Sequence, residues 1–344
     1  MAQFSRMETL NAMYDAGLVP VFYQGDIDVA KKIVDACSAG SARVLEFTNR
    51  GDFAPDVFGQ LVKYCMAEHP EMIMGVGSVI DAPTAAQYLA NGANFIVGPT
   101  MNEEAAKVCN IRKVPYSPGC GSANEIQKAH ELGCEIVKVF PGGLVGGPKF
   151  ISSLKGPCPW VSLMPTGGVD ITWESVSSWI EGGAAALGIG SKLIRKDLVA
   201  AGDFDQIRDN VARTLWYIKK ARGESVFRGV EHPGLYPEED GQGEEVARWY
   251  ADTFGFEMNV GNSSVFVAGE GPGRLEIAKD ATHDKAHVAI LVADFDAAAE
   301  ELKEKGFEFE EISEKPGLKA GYLTETDPAG HRVHLLWNPS VMNT

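Results

Sequence analysis

Ile136-Val-Lys-Val-Phe-Pro141 is a short apolar run with a lysine at its centre and a proline at its end. Its β-branched residues read as a strand buried on both faces. Seven comparable runs accompany it, at 18–23, 43–49, 72–79, 95–99, 114–120, 161–169 and 186–194. Amphipathic segments such as 28–39 and 82–90 lie between them. Asp26 or Asp28 can cap the first of these, and Gly40 can stop it. Buried strands that alternate with helices form a parallel sheet. Eight strand–helix units imply a closed (β/α)8 TIM barrel, with its site at the C-terminal ends of the strands. An open doubly wound sheet is the rival α/β arrangement. No G-x-G-x-x-G follows the first run, which counts against a dinucleotide-binding version of it.

Side chains alternate along a strand, so Ile136, Lys138 and Phe140 share one face. A lysine in an apolar barrel strand is costly unless it is paired or reactive. A desolvated amine gives up its proton more readily and can attack a ketone, as Schiff-base catalysis requires. The alternative is a rim lysine that snorkels to solvent. In Val44-Leu-Glu-Phe-Thr-Asn-Arg50, Glu46, Thr48 and Arg50 climb one face toward the mouth, where a barrel core would carry Val or Ile. Glu46 is placed to move protons, and Arg50 to grip a carboxylate through two parallel hydrogen bonds. A structural Glu–Arg ion pair is the plainer reading. Met164-Pro-Thr-Gly-Gly-Val169 and Leu187-Gly-Ile-Gly-Ser-Lys-Leu193 end the last two strands in glycine loops. Loops at these positions commonly bind anions through backbone N–H groups and a following helix N-terminus. Gly167, Gly168, Gly190 and Ser191 would supply the donors and Thr166 a hydroxyl. Lys192 either adds charge or points to solvent.

The 344 residues fit one large and one small domain. Residues 1–223 hold 21 Lys+Arg against 23 Asp+Glu, a net of −2, whereas 224–344 hold 10 against 24, a net of −14. That shift places a boundary near 223 and argues against nucleic-acid binding, which needs a cationic surface. No apolar run is long enough to span a membrane, and the polar start Met-Ala-Gln-Phe-Ser-Arg-Met-Glu-Thr does not read as a signal peptide. All six cysteines fall in the first half without CxxC pairs, as expected of thiols in a cytoplasmic protein. A long final helix at 203–222 precedes the boundary. Beyond it, 229–280 and 286–338 each read as strand, helix, then several strands, with helices at 244–254 and 295–305. Each helix is followed by Gly-Phe-Glu. This repeat of about 55 residues fits two βαβββ modules in a small α+β domain.

The ordered motifs Val44-Leu-Glu-Phe-Thr-Asn-Arg50, Gly75-Val-Gly-Ser78, Phe95-Ile-Val-Gly-Pro99, Pro118-Gly119, Val137-Lys-Val-Phe-Pro141 and Pro165-Thr-Gly-Gly168 resemble the class I KDPG/KHG aldolases. These are 2-dehydro-3-deoxy-phosphogluconate aldolase and 4-hydroxy-2-oxoglutarate aldolase. The resemblance covers about residues 5–222. It implies that Lys138 forms a Schiff base with pyruvate and that Glu46 is the general acid/base. Arg50 and Ser78 would hold the pyruvyl carboxylate, and Pro99 and Phe140 would pack the pocket. Thr166, Gly167, Gly168 and Ser191 would face the substrate's far end. The family implies a homotrimer acting on a small keto acid without metal or other cofactor. Ser78 stands where many members have Thr, and the loops at 118–125 and 142–147 also depart from the family pattern. These departures bear on the aldehyde half of the substrate and not on the reaction type.

Val230-Glu-His-Pro-Gly-Leu-Tyr236, Arg274-Leu-Glu-Ile277, His287-Val-Ala-Ile-Leu-Val292 and Thr326-Asp-Pro-Ala-Gly-His-Arg-Val-His-Leu-Leu336 resemble the vicinal oxygen chelate superfamily of glyoxalase I, bleomycin-resistance proteins and extradiol dioxygenases. Its four metal positions fall on His232, Glu276, His287 and His334, a donor set suited to a divalent transition metal. The last position is more often Glu in that superfamily. Many members lack metal, and strand-borne histidines are often structural. The domain is therefore either a metalloenzyme or a non-catalytic metabolite-binding or assembly module.

Overall fold

The computed structural model describes residues 2–269, 273–281, 286–315 and 317–338. Residues 270–272, 282–285 and 339–344, within the ranges read above as the C-terminal domain, lie outside the described residues. The chain folds as two compact units, Met1–Glu224 and Ser225–Thr344.

The first unit opens with α1 (Arg6–Ala16), held by a Ser5/Glu8 capping box and closed by Gly17 in the left-handed region. Strand–helix units follow: β1 (Leu18–Phe22), α2 (Ile27–Ala39), β2 (Val44–Thr48), α3 (Ala54–Glu68), β3 (Ile73–Gly77), α4 (Ala82–Ala90), β4 (Ile96–Val97) and α5 (Glu103–Arg112). Then come β5 (Tyr116–Ser117), β6 (Gly119–Cys120), α6 (Ala123–Glu131), β7 (Ile136–Val139), α7 (Gly147–Lys155), β8 (Ser162–Pro165), α8 (Trp173–Glu181) and β9 (Leu187–Ile189). The unit ends with the short α9 (Lys196–Ala201) and the long α10 (Phe204–Ala221). Asp26 caps α2, with Gly40 at its end, and Asp203 caps α10.

The parallel strands run β5-β4-β3-β2-β1-β9 in one sheet and β6-β7-β8 in another. Two seams join these sheets into the barrel. At the first, Pro118 separates β5 from β6 in what the sequence reads as one run. Proline has no N–H to give the ladder, yet its carbonyl accepts from the Lys138 N–H at 3.0 Å. At the second, Thr166 bridges Gly188 in parallel fashion, linking the end of β8 to β9. β5 and β6 thus count as one of the eight barrel strands.

Alternation along the strands divides the core in two. Val19, Val44, Ile73, Phe95, Val97, Ile136, Met164 and Ala186 form the barrel interior, plugged from below by Leu10 and Met13 of α1. Leu45, Phe47, Val76, Val137 and Leu163 face outward to the helices. Phe47, fully buried there, makes an edge contact with Phe22; its truncation to Ala would cost about 3–5 kcal/mol.

The second unit contains β10 (Phe227–Leu235), α11 (Gly243–Phe254), β11 (Glu257–Val260), β12 (Ser264–Ala268) and β13 (Leu275–Ala278). These are followed by β14 (His287–Val292), α12 (Phe295–Glu304), β15 (Ser313–Lys315), β16 (Leu318–Thr326) and β17 (Arg332–Trp337). One eight-stranded sheet results, in the order β11-β12-β13-β10-β14-β17-β16-β15. Each βαβββ module pairs its first strand in parallel with its last, β10 with β13 and β14 with β17. The modules meet where β10 and β14 run antiparallel. No helix among the described residues is long and apolar enough to cross a membrane.

Candidate active site and candidate metal centre

Above the apolar floor of the barrel the next inward positions carry Glu46 on β2 and Lys138 on β7. Glu46 is 1% and Lys138 5% exposed, and Lys138 Nζ lies 3.8 Å from Glu46 Oε1. This burial excludes the snorkelling arrangement for Lys138. Glycines make the room these long side chains need. Glu46 pairs across the ladder with Gly75, and a Cβ on Gly77 would stand 2.1 Å from Glu46 Oε1. Lys138 lies between Gly119 and Met164, with Nζ 5.3 Å from the centre of the Phe140 ring.

Burial pushes the Glu46 carboxyl above its ordinary range, and the charges of Lys138 and Arg50 offset part of that effect. Glu46 Oε2 is buried without a hydrogen-bond partner, as is Thr166 Oγ1. Two orphaned polar oxygens inside one barrel are expensive unless something else meets them. Thr48, the next polar residue on the Glu46 face, is already committed, because its hydroxyl donates to the Phe22 carbonyl at 3.1 Å.

The remaining expected residues sit where strands end. Arg50 follows β2, Ser78 follows β3, and Pro99 and Phe140 follow β4 and β7. Gly167 and Gly168 both adopt left-handed conformations after β8. There the backbone zips to the loop after β7: Gly142 N–H donates to the Thr166 carbonyl and Gly143 N–H to the Gly167 carbonyl, each at 2.9 Å. A Cβ on Gly168 would meet Gly143 Cα at 2.7 Å, so both loops need glycine for this approach. Gly190 accepts from the Leu193 and Ile194 N–H groups, so a single helical turn follows β9 and carries Ser191. Lys192 pairs with Asp170 at 3.0 Å, so its charge is balanced locally. The sequence reading quoted Gly77 only within Gly75-Val-Gly-Ser78 and Gly143 only within the loop at 142–147, and gave neither a role of its own. Their signal, a glycine beside a motif residue, carries meaning only once the cross-strand neighbour is known.

In the second unit His232 (β10), His287 (β14) and His334 (β17) converge, each buried, with candidate ligand atoms all within 4.8 Å of one another. Glu276 of β13 joins them: its Oε2 lies 2.8 Å from His232 Nε2 and 3.5 Å from His287 Nε2. First and last strands of both modules thus contribute one residue each. Burial disfavours a charged Glu276, but hydrogen bonds from His232, His287 and Ser264 overcome it and hold the carboxyl far below its ordinary range. Burial would also lower His232, but hydrogen bonds to Glu231 and Glu276 raise it instead. His334 is pushed down to about 3 by burial and by its neighbours His287 and His232. It stacks on Tyr322 with ring centres 4.5 Å apart. Both of its ring nitrogens are buried without partners, and a cation facing the cluster would meet one of them. Tyr236, Tyr322, Ser264, Glu231 and Arg274 around this cluster were not anticipated as parts of it.

Residues 10–210 match the family model described as KDPG and KHG aldolase. Residues 240–335 match that of the Glyoxalase/Bleomycin resistance protein/Dioxygenase superfamily. The 2-dehydro-3-deoxy-phosphogluconate aldolase of Treponema pallidum is 30% identical over 198 residues, which cover 58% of this chain and 91% of the relative. The KHG/KDPG aldolase of Escherichia coli K12 is 30% identical over 190 residues, 55% of this chain and 86% of the relative. Among solved structures, the 2-keto-3-deoxy-6-phosphogluconate aldolase of Zymomonas mobilis ZM4 with 3-phosphoglycerate is 26% identical. It aligns with a TM-score of 0.54 over 62% of this chain and 97% of that one. The barrel model spans more than half of the 344 residues, and the chain belongs to the KDPG and KHG aldolase family of class I aldehyde-lyases, with a glyoxalase-superfamily unit following the barrel.

Proposed function

We propose that Lys138 is the Schiff-base lysine of this aldolase and Glu46 its proton shuttle, acting on a 2-keto-3-deoxy sugar acid. The observation that carries this reading is the buried pair itself, an amine and a carboxyl 3.8 Å apart inside the barrel. The Lys138 amine adds to the C2 ketone, and the carbinolamine loses water to give an iminium ion. The C3–C4 bond then breaks as the C4 hydroxyl surrenders its proton, leaving an enamine on Lys138 and a free aldehyde. Protonation at C3 and hydrolysis release pyruvate and restore the amine. Each stage moves a proton, and a carboxyl raised by burial above its ordinary range is suited to take one up and give it back.

Arg50 and Ser78 hold the pyruvyl carboxylate, while Pro99 and Phe140 wall the pocket. Thr166, Gly167, Gly168, Gly190 and Ser191 face the aldehyde half. The names of the relatives point to 2-dehydro-3-deoxy-phosphogluconate and 4-hydroxy-2-oxoglutarate as substrates. The 3-phosphoglycerate in the Zymomonas structure favours a phosphorylated far end. Borohydride reduction in the presence of pyruvate, followed by peptide mapping, tests the assignment. Label on Lys138 is expected; label on another lysine, or none, refutes it. Comparing cleavage of phosphorylated and unphosphorylated substrates identifies the aldehyde half. The family resemblance further suggests a homotrimer, which light scattering tests. The free cysteines, five of the six buried, accord with a reducing cytoplasm.

For the second unit the convergent donors favour a divalent transition metal held by His232, Glu276, His287 and His334. Such an ion would supply Lewis-acid polarisation of a coordinated oxygen. The chain's own residues orient the imidazoles and balance their charge. On this reading the unit is a second, metal-dependent catalyst; without turnover, it is a metabolite-sensing or assembly module. Metal analysis of the intact chain separates the metal-bound reading from a structural histidine cluster. Screening of dicarbonyl and keto acid substrates then separates catalysis from sensing.

A further inference from the structure

Strand β10 contains an inversion of the usual burial pattern. Val230 is 60% exposed, while the next residue, Glu231, is only 8% exposed. Glu231 and His232 are buried side by side, although neighbouring side chains on a regular strand point to opposite faces. The ladder explains how. Val230 lies opposite Ile290 and His232 opposite Ala289, so Glu231 is the extra residue of a β-bulge. A bulge of this kind re-aims a side chain, and bulges are enriched beside functional sites.

The re-aimed carboxylate is held at both ends. Glu231 Oε2 accepts from His232 Nδ1, and Oε1 lies 2.7 Å from Arg274 Nε. Arg274 is itself fixed over the Phe266 ring at 4.0 Å, and its backbone N–H donates to the Glu231 carbonyl at 3.3 Å. A buried carboxylate costs several kcal/mol unless it is paired, and this one is paired through both oxygens. With Nδ1 committed, the His232 ring presents Nε2 to Glu276 and to His287 Nε2, the latter 3.2 Å away.

The second module provides an internal contrast. Arg332 stands two residues before His334, as Arg274 stands two before Glu276, and it also lies over an aromatic ring, that of Tyr322, at 4.1 Å. Its partner, however, is Glu310 at 2.6 Å, and the residue before His287 is Ala286. The arginine-on-aromatic stack is common to both modules. The inward carboxylate belongs to the first alone.

We propose that Glu231, clamped by Arg274, is a positioning residue that fixes the tautomer and orientation of His232 for a divalent transition metal. This rests on the metal reading of the cluster given above. A carboxylate behind a metal-ligating imidazole orients the ring and raises its basicity. The test uses the full chain, with Zn(II) affinity measured by chelator competition and the visible spectrum recorded with Co(II). Glu231→Gln is expected to weaken Zn(II) binding about 10- to 100-fold and to alter the Co(II) bands. Glu310→Gln, which disturbs the outward pair, leaves both at wild-type values. Circular dichroism confirms that each variant is folded. Wild-type affinity and an unchanged Co(II) spectrum in Glu231→Gln would overturn the proposal, even if the melting temperature fell, because that pattern indicates a packing role. If the wild-type chain takes up neither ion, the metal reading itself falls and this proposal falls with it.

Discussion

The two units bury charge in opposite ways. In the barrel, Lys138 and Glu46 sit 3.8 Å apart above an apolar floor, and one Glu46 oxygen has no partner. In the sheet domain the acids and imidazoles of β10, β13 and β14 are linked through hydrogen bonds, and only His334 is left unpartnered among the four. A loose pair in a space cleared by glycines suits a reaction that must admit carbon atoms between amine and carboxyl. A tight ring of donors suits a small ion. The cost of burying charge is the same kind of cost in both, and what remains unsatisfied indicates the ligand.

Lys138→Ala breaks the barrel half of this comparison most severely. Borohydride trapping with pyruvate should disappear altogether, and aldol cleavage with it, because the substitution removes the proposed nucleophile. Glu46→Gln should lower kcat about 10²–10⁴-fold, yet still permit slow trapping at Lys138. Trapping as fast as in the wild type, with unaltered turnover, would remove Glu46 from the mechanism. Gly77→Ala sharpens the argument about space. Its new Cβ would crowd Glu46 Oε1 at 2.1 Å, and misplacement of a catalytic group by about 1 Å costs on the order of 10²-fold. Full activity in that variant would mean the carboxyl need not stay where it is.

Glu276→Ala addresses the other unit. Metal affinity, read by chelator competition, should fall by more than the roughly tenfold to hundredfold typical of an outer partner.

The smallest effect concerns stability. Burial raises the Glu46 pKa above its ordinary value of 4.5. Above that pH the unfolded chain has lost a proton the folded chain retains, so stability falls as pH rises toward the folded pKa. Glu46→Gln removes this dependence. Its melting temperature should gain on the wild type across that window, by about 2–4 °C for each kcal/mol. A gap that stays constant with pH would show that Glu46 does not titrate there.

Much of this was legible in the residues. The eight apolar runs and their capping residues specify a barrel because strands buried on both faces and alternating with helices have few other ways to close. Spacing of two along Val44–Thr48 puts Glu46 inside, and the repeated Gly-Phe-Glu marks the duplicated modules. Other features needed the folded chain. The run at 114–120 becomes two short strands because Pro118 cannot donate to the ladder. Lys192, read as a possible anion contact, is engaged by Asp170, a residue 22 positions away that only the turn after β9 brings close.

Composition and periodicity alone therefore determined that the chain forms a parallel barrel followed by a duplicated acidic domain, because burial patterns follow from local alternation. The tertiary structure decided which groups meet: Lys138 with Glu46, Gly77 with the Glu46 carboxyl, and Glu231 with His232. Those meetings depend on ladder register and on one bulge. A shift of a single residue turns a side chain to the other face, and no local pattern in the sequence records that shift.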